Sequence, residues 1–356
     1  MRFYFYWGFC WMLFLGIIGD LRAQDPRFSQ FYAAPLQVNP AMAGVFEGRF
    51  RVNANYRDQW SSVLGSVPFR TIAAAIDLRY HVVNEDFVSF GVNLLRDEVG
   101  EGHFVQTRTY LNAAYLKKIG GAPYTNTAQY LVAGAQIGLG QNSVNWNQFW
   151  FSAQFDQSIG GLPNFALPSG EMAILGDSRT TDVFLDFNAG LLYYALFGDN
   201  RSVYFGGAIH HLNGPQISFF EDGDETLNRR WLGQVGAELP FNDELSILPA
   251  AIIMGQGPST STTFGANVRY SNNDWNEIAI RAGLWPHLSS TPTSRIYFEA
   301  ITVAAILELN RWNLGLSYDI TTSDFSATNN SRGAFEVSLI YTHPARSRVR
   351  VRCPNF

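Results

Sequence analysis

From about residue 48 to about residue 342 the chain runs in segments of ten to fifteen residues in which apolar and polar side chains alternate, each closed by Gly, Asn, Asp or Pro. In the segment from Phe87 to Leu95, Val88, Phe90, Val92 and Leu94 take one face while Ser89, Gly91 and Asn93 take the other. Phe50, Val52, Ala54 and Tyr56 likewise oppose Arg49, Arg51, Asn53, Asn55 and Arg57, and Phe335, Val337, Leu339 and Tyr341 oppose Glu336 and Ser338. Successive side chains of a strand point to opposite faces, so each segment presents one apolar and one polar wall. Most segments are longer than the roughly five or six residues usual in soluble sheets and long enough to cross a membrane at a tilt. After the first two dozen residues no apolar run approaches the roughly 20 residues of a spanning helix.

About fourteen such segments are countable, near 48–58, 69–80, 87–98, 104–119, 127–140, 182–196, 201–212, 229–239, 244–256, 260–270, 275–285, 294–307, 311–320 and 333–342. Their connections sort by parity. Those after even-numbered segments, such as 81–86, 197–200 and 308–310, are tight, whereas the longest, 141–181, 213–228 and 321–332, follow odd-numbered ones. A membrane barrel with short periplasmic turns and long outer loops produces this asymmetry, and a soluble sandwich does not. Charged residues make up 15% of the chain, against roughly 25% in ordinary globular proteins. The expectation is an all-β fold, a transmembrane antiparallel up-and-down barrel with periplasmic termini in a Gram-negative outer membrane.

The ends read differently. Residues 1–23 have the form of a secretory signal, with Arg2 before the apolar stretch from Trp7 to Ile18 and Ala23 at the cut. Cleavage there removes Cys10 and leaves Cys353 alone, so the mature chain has no internal disulfide and no Cys-based metal site. In residues 24–47, Pro26, Pro35 and Pro40 discourage helix while Phe28, Phe31, Tyr32 and Leu36 need burial. This segment either plugs the lumen or runs beneath it; its aromatics favour burial in the barrel, residues 48–342. The tail, residues 343–356, carries Arg346, Arg348, Arg350 and Arg352, to be solvated or to meet an acidic partner.

Candidate functional residues are few. The connection 141–181 holds Trp146, Phe149, Trp150, Phe151 and Phe155, spaced as one short helix allows, and is read as a constriction, a partner contact or plain packing. Glu221, Asp222, Asp224 and Glu225 crowd an outer loop without the ordered spacing of a calcium loop; Asp222 and Asp224 join the partner-contact candidates. His210 and His211 end one strand, where alternation sends neighbours to opposite faces and argues against a shared metal. Arg51, Arg57, Asp77, Arg79, Asp186, Arg269, Arg281 and Glu336 fall on the lumen side, either as ion pairs closing the barrel or as the lining of a selective pore. Phosphate-loop, His-Glu-x-x-His and Gly-x-Ser-x-Gly motifs do not occur, so neither an enzyme, a cofactor nor a metal is expected. A net charge of -5 supports no argument for nucleic acid.

The stretch from Gln24 to Gly44, QDPRFSQFYAAPLQVNPAMAG, resembles the opening of the PorP/SprF family of type IX secretion system membrane proteins. Tyr56-Arg57-Asp58-Gln59-Trp60 is similar to the family's Arg-Asp-Gln-Trp element, and His210-His211-Leu212-Asn213 before Pro215 to its His-rich strand end. Leu316-Ser317-Tyr318-Asp319 with Gly333-Ala334-Phe335-Glu336 resembles its last hairpin, and Cys353-Pro354-Asn355-Phe356 its closing Cys-Pro-x-Phe. The resemblance implies an outer-membrane barrel of the secretion and gliding machinery. Within such a barrel Arg57, Asp58, Trp60, His210, His211 and Glu336 are read as lumen or structural residues. Its implied partners are a secreted protein with a type IX C-terminal domain or other machinery proteins, alongside outer-membrane lipid. It brings no catalytic residues. The competing expectation is a passive channel or hydrophobic-solute transporter.

Overall fold

The computed structural model describes residues 24–64, 69–83, 85–121, 127–149, 151–156, 162–164, 167, 180–198, 201–220, 223–272, 278–290, 296–323 and 326–344. Residues 1–23, Trp150, Glu221, Asp222 and the tail from 345 lie outside them, so the expectations for the signal segment, those three side chains and the four tail arginines are not addressed by it. The strands are β1 (Phe50–Gln59), β2 (Phe69–His81), β3 (Phe87–Val99), β4 (Phe104–Gly120), β5 (Thr127–Ser143), β6 (Phe155–Asp156), β7 (Leu162–Pro163), β8 (Phe184–Phe197), β9 (Ser202–His210), β10 (Arg230–Pro240), β11 (Leu245–Gln256), β12 (Ser259–Ser271), β13 (Ile278–Ser290), β14 (Ile296–Leu309), β15 (Trp312–Thr321) and β16 (Arg332–His343). All but β6 and β7, which form a small separate ribbon, pair antiparallel with their chain neighbours, and β1 closes on β16 in a fourteen-strand barrel. Each of the fourteen expected segments corresponds to one of these strands.

Alternation puts Val52, Tyr56, Phe90, Val92 and Leu94 on the exposed outer face and Arg51, Asn53, Asn55, Ser89 and Asn93 inside. The barrel strands run from 9 residues in β9 to 17 in β4 and β5, a range that includes the roughly 9–11 residues of a tilted membrane strand. No helix among the described residues is long and apolar enough to cross a membrane.

β1 begins and β16 ends at the short-turn rim, but the segment before β1 enters the lumen. Asp25 meets Arg108 of β4, Gln256 at the end of β11 and His211 just past β9, all toward the long-loop rim. From there the chain descends through three single turns, Phe31–Ala33, Pro35–Val38 and Pro40–Met42. Pro35 and Pro40 each stand at a turn's first position, where the missing N–H costs nothing, and no turn propagates into a helix. The segment reaches the short-turn end where the Arg51 guanidinium lies 4.8 Å from the Phe46 ring centroid.

This plug corrects one expectation about the lumen, which is not polar throughout. Leu116, Tyr130, Val132, Leu192, Tyr194 and Trp285 point inward and, with Phe31, Tyr32, Leu36, Val38, Met42 and Val45 of the plug, form a buried apolar core. Burial of plug side chains accounts for it, because an inward position packed against protein need not be wet.

Candidate functional site

The plug fits the wall at backbone distance. A Cβ on Gly134 of β5 would collide with the main chain of Pro40 and Ala41, and one on Gly190 of β8 with the Asn39 side chain. Those two glycines face each other across the β5–β8 ladder. Asn39 then donates to the carbonyls of Leu191 and Gly207 at 3.3 and 3.2 Å. A segment seated this closely is part of the barrel's core.

Three ionic clusters tie the plug to the strands. At the short-turn end Arg51 and Asp77 stand opposite each other on β1 and β2, bonded at 2.9 and 3.1 Å, and Asp77 also accepts the Gly44 N–H at 2.9 Å. Higher up, Arg57 reaches Asp319 at 2.7 Å and its cross-strand neighbour Glu336 at 3.2 Å. Glu336 accepts the main-chain N–H groups of Ser29 and Gln30 at 2.8 and 3.0 Å. Toward the long-loop rim Asp25 binds Arg108, Arg230 at 3.2 Å and His211 at 2.6 Å, and His211 contacts Asp186 at 2.7 Å. The charged groups of all three clusters are withdrawn from water, where an unpaired charge is costly, so each has a partner of opposite sign.

His211 departs from strand alternation. Its φ of 58° turns the chain into the left-handed region, so His210 and His211 both end up buried inside the barrel. The sequence expectation that they point to opposite faces fails there, because alternation holds only while the backbone stays extended. They share no ligand: His210 bonds the Val38 carbonyl at 3.0 Å while His211 spans Asp25 and Asp186. With a carboxylate oxygen at hydrogen-bond distance from each ring nitrogen, the contacts favour the imidazolium form, which donates from both. His211 lies outside the strands. Burial disfavours its charge, yet the Asp25 and Asp186 carboxylates raise its affinity for the proton above the ordinary value.

The eight lumen-side charges expected from sequence all point inward, and Arg269 and Arg281 converge on Glu308. Asp58 does not belong with them. It is next to Arg57 on an extended strand and faces outward, where Tyr56 and Arg70 contact it at 3.2 and 3.4 Å. Trp60 follows the end of β1, with φ of 62° and its ring 5.1 Å from that of Phe69. Sequence reasoning gave no role to Asp25, Arg108, Arg230 or Asp319, although the last three occupy inward positions of their strands and Asp25 and Asp319 both lie in stretches that carry the resemblance.

The outer aromatics form no single helix. Trp146–Gln148 and Ser152–Gln154 are separate single turns. Trp146 packs 5.7 Å from both Phe149 and Phe219, and Phe219 lies 6.4 Å from Phe104, so two connections and a strand end meet at the rim. Phe149 and Phe155 are exposed, Phe151 is partly buried, and Asp224 is exposed. Above the first plug residues, at the long-loop ends of β1–β3 and β11–β14, lies a vestibule of about 400 Å³.

A closed strand wall, apolar outside and filled by its own N-terminal segment, defines a plugged membrane β-barrel. Residues 21–341 match the model of the type IX secretion system membrane protein PorP/SprF. The chain belongs to that family, which places it among the membrane proteins of type IX secretion. No individually curated protein matches it. Among solved structures it is similar to the Pseudomonas putida toluene transporter TodX, at 12% identity over 91% of this chain and 99% of that one, TM-score 0.44. It is also similar to the CymD monoaromatic hydrocarbon channel, at 11% identity over 88% and 93%, TM-score 0.44. CdiB from Acinetobacter baumannii is similar at 8% identity over 82% and 60%, TM-score 0.44.

Proposed function

We propose that this chain is an outer-membrane barrel that binds a secreted cell-surface protein of the type IX pathway, helping to export it or anchoring it at the surface. The observation that carries this reading is the plug. Residues from Asp25 to Phe46 fill the lumen at backbone distance from Gly134 and Gly190, so the chemistry accessible from outside is the vestibule and the aromatic loop rim. A protein arranged in this way holds something at its outer end more readily than it passes a solute. The reading involves no catalytic step, cofactor or resident metal, and its partners are a secreted protein with a type IX C-terminal domain or other machinery proteins.

Deleting the gene in its host, followed by mass spectrometry of surface-exposed proteins, tests it. One adhesin or a small set should disappear from the surface, and mild-detergent purification of the barrel should recover the missing protein. The alternative, a passive channel or hydrophobic-solute transporter, predicts conductance or solute uptake in liposomes that the plugged barrel of the first reading does not give.

A further inference from the structure

The vestibule lies between Gln24–Arg27 below and the ends of strands at the long-loop rim above. Its size falls within the range of roughly 300–1,000 Å³ typical of ligand sites. Its charges are unevenly committed. Arg27 pairs with Glu299, Arg57 with Asp319 and Glu336, and Arg230 with Asp25, so every lining cation already has a carboxylate. Asp97 differs. It lines the same cavity and is only 6% exposed, with a hydrogen bond from Thr71 at 2.6 Å, but among the described residues no cation lies within ion-pair distance of it. The charges of Arg108 on the neighbouring strand β4 and of Arg57 act on Asp97 from a distance, but the Arg108 guanidinium is bonded to Asp25 and Gln106 and Arg57 to Asp319 and Glu336.

The approach to Asp97 is shaped as well. Thr71 and Asp97 stand opposite each other on β2 and β3. Phe69 and Val99, two residues further toward the rim on the same inward faces, also line the cavity. On this wall of the cavity an aromatic ring and an aliphatic side chain therefore lie between the strand ends and the carboxylate. That sequence suits a charge on an apolar stem, because methylenes pack against the walls, the ring face attracts a cation and the carboxylate accepts its N–H groups. An anion would meet Asp97 unfavourably, and a neutral polar group would forgo the charge-assisted hydrogen bond that a cation gains there.

We infer that the vestibule is a binding site for an ammonium or guanidinium group presented from outside the cell, with Asp97 as its counter-charge and Phe69 at its entrance. The inference rests on the partner-binding reading and deepens it, naming the chemistry of the part of the partner that the barrel receives. Because the plug forms the floor, the group is held there and not conducted.

The test is calorimetric titration of the purified full-length mature barrel in neutral detergent with Nα-acetylarginine amide and, separately, with the uncharged isostere Nα-acetylcitrulline amide. The arginine compound should bind saturably and about tenfold or more tightly than the citrulline compound, and Asp97→Asn should erase that preference. Equal affinity for both, no binding of either, or a preference that persists in Asp97→Asn overturns the inference. Should Asp97→Asn fail to fold, the two-ligand comparison on the unaltered protein decides alone. Acetyl-Gly-Arg-Gly-amide binding more tightly than spermidine assigns the cation to a polypeptide, and the reverse order to a free small cation. Arginine binding without recovery of a secreted protein in the pull-down removes the functional reading and leaves the site; recovery without arginine binding does the opposite.

Discussion

From Asp25 to Gln30 the N-terminal segment meets the barrel through charges and hydrogen bonds, to Arg108, Arg230, His211 and Glu336. From Phe31 to Phe46 it meets it mainly through buried apolar side chains and through backbone contact at Gly134 and Gly190. The two stretches have different physical jobs. Apolar burial is non-directional and supplies most of the attraction, whereas a buried charge gains little net stability from pairing yet loses heavily if a partner is removed. The lower stretch holds the plug in; the upper stretch fixes where it sits and shapes the vestibule floor.

Removing a charge partner should have the largest effect. Arg57→Met leaves Asp319 and Glu336 buried without their cation and should cost about 3–5 kcal/mol, read as a lower melting midpoint of the heat-modifiable band on a gel. Adding Asp319→Asn and Glu336→Gln should recover much of that loss. If it does not, the upper stretch contributes attraction as well as position. Leu36→Ala, which opens a cavity in the apolar stretch, should cost about 3 kcal/mol by the same measurement. A loss below about 1 kcal/mol there would place the holding energy elsewhere. Gly190→Ala drives a methyl group into Asn39 and should cost about 2 kcal/mol, with faster proteolysis of residues 24–47 as a second readout.

The smallest effect is one of pH and belongs to the upper stretch alone. His211 has a raised folded-state pKa, so its contribution is complete below its unfolded value of about 6.5 and is lost as pH rises through the folded value above that. Asp25, also outside the strands, runs the other way. Burial opposes its ionisation, but Arg108, His211 and Arg230 hold its carboxyl well below the usual range, so its contribution is present above about 3.9 and lost on stronger acidification. Through these two groups, melting midpoints measured across pH should decline as pH rises above about 6.5 and again on acidification below about 3.9. His211→Gln should abolish the alkaline decline; an unchanged slope would assign it to another group.

The strands were legible because their signal is local. A period of two needs only a dozen residues to be seen, and it placed Arg51, Arg57, Asp77 and Glu336 on the inward face without any knowledge of neighbours. The same rule misjudged His211, whose positive φ ends the alternation one residue after β9, and it was not applied to Asp58, which it sends outward beside Arg57. Asp97 went unnoticed because nothing in the residues around it distinguishes a carboxylate that has a cation from one that lacks it.

What the sequence determined by itself was the barrel: strand number, rim asymmetry and the face that residues within an extended strand take, all consequences of chain geometry within one strand and its next turn. Which charges pair, how the plug threads from the long-loop rim to the short-turn rim, and why Gly134 and Gly190 must lack side chains were decided only by the closed fold. Those contacts join residues up to about 300 positions apart, as Ser29 and Glu336 are, and exist only once β1 has met β16 and fixed the distances across the lumen.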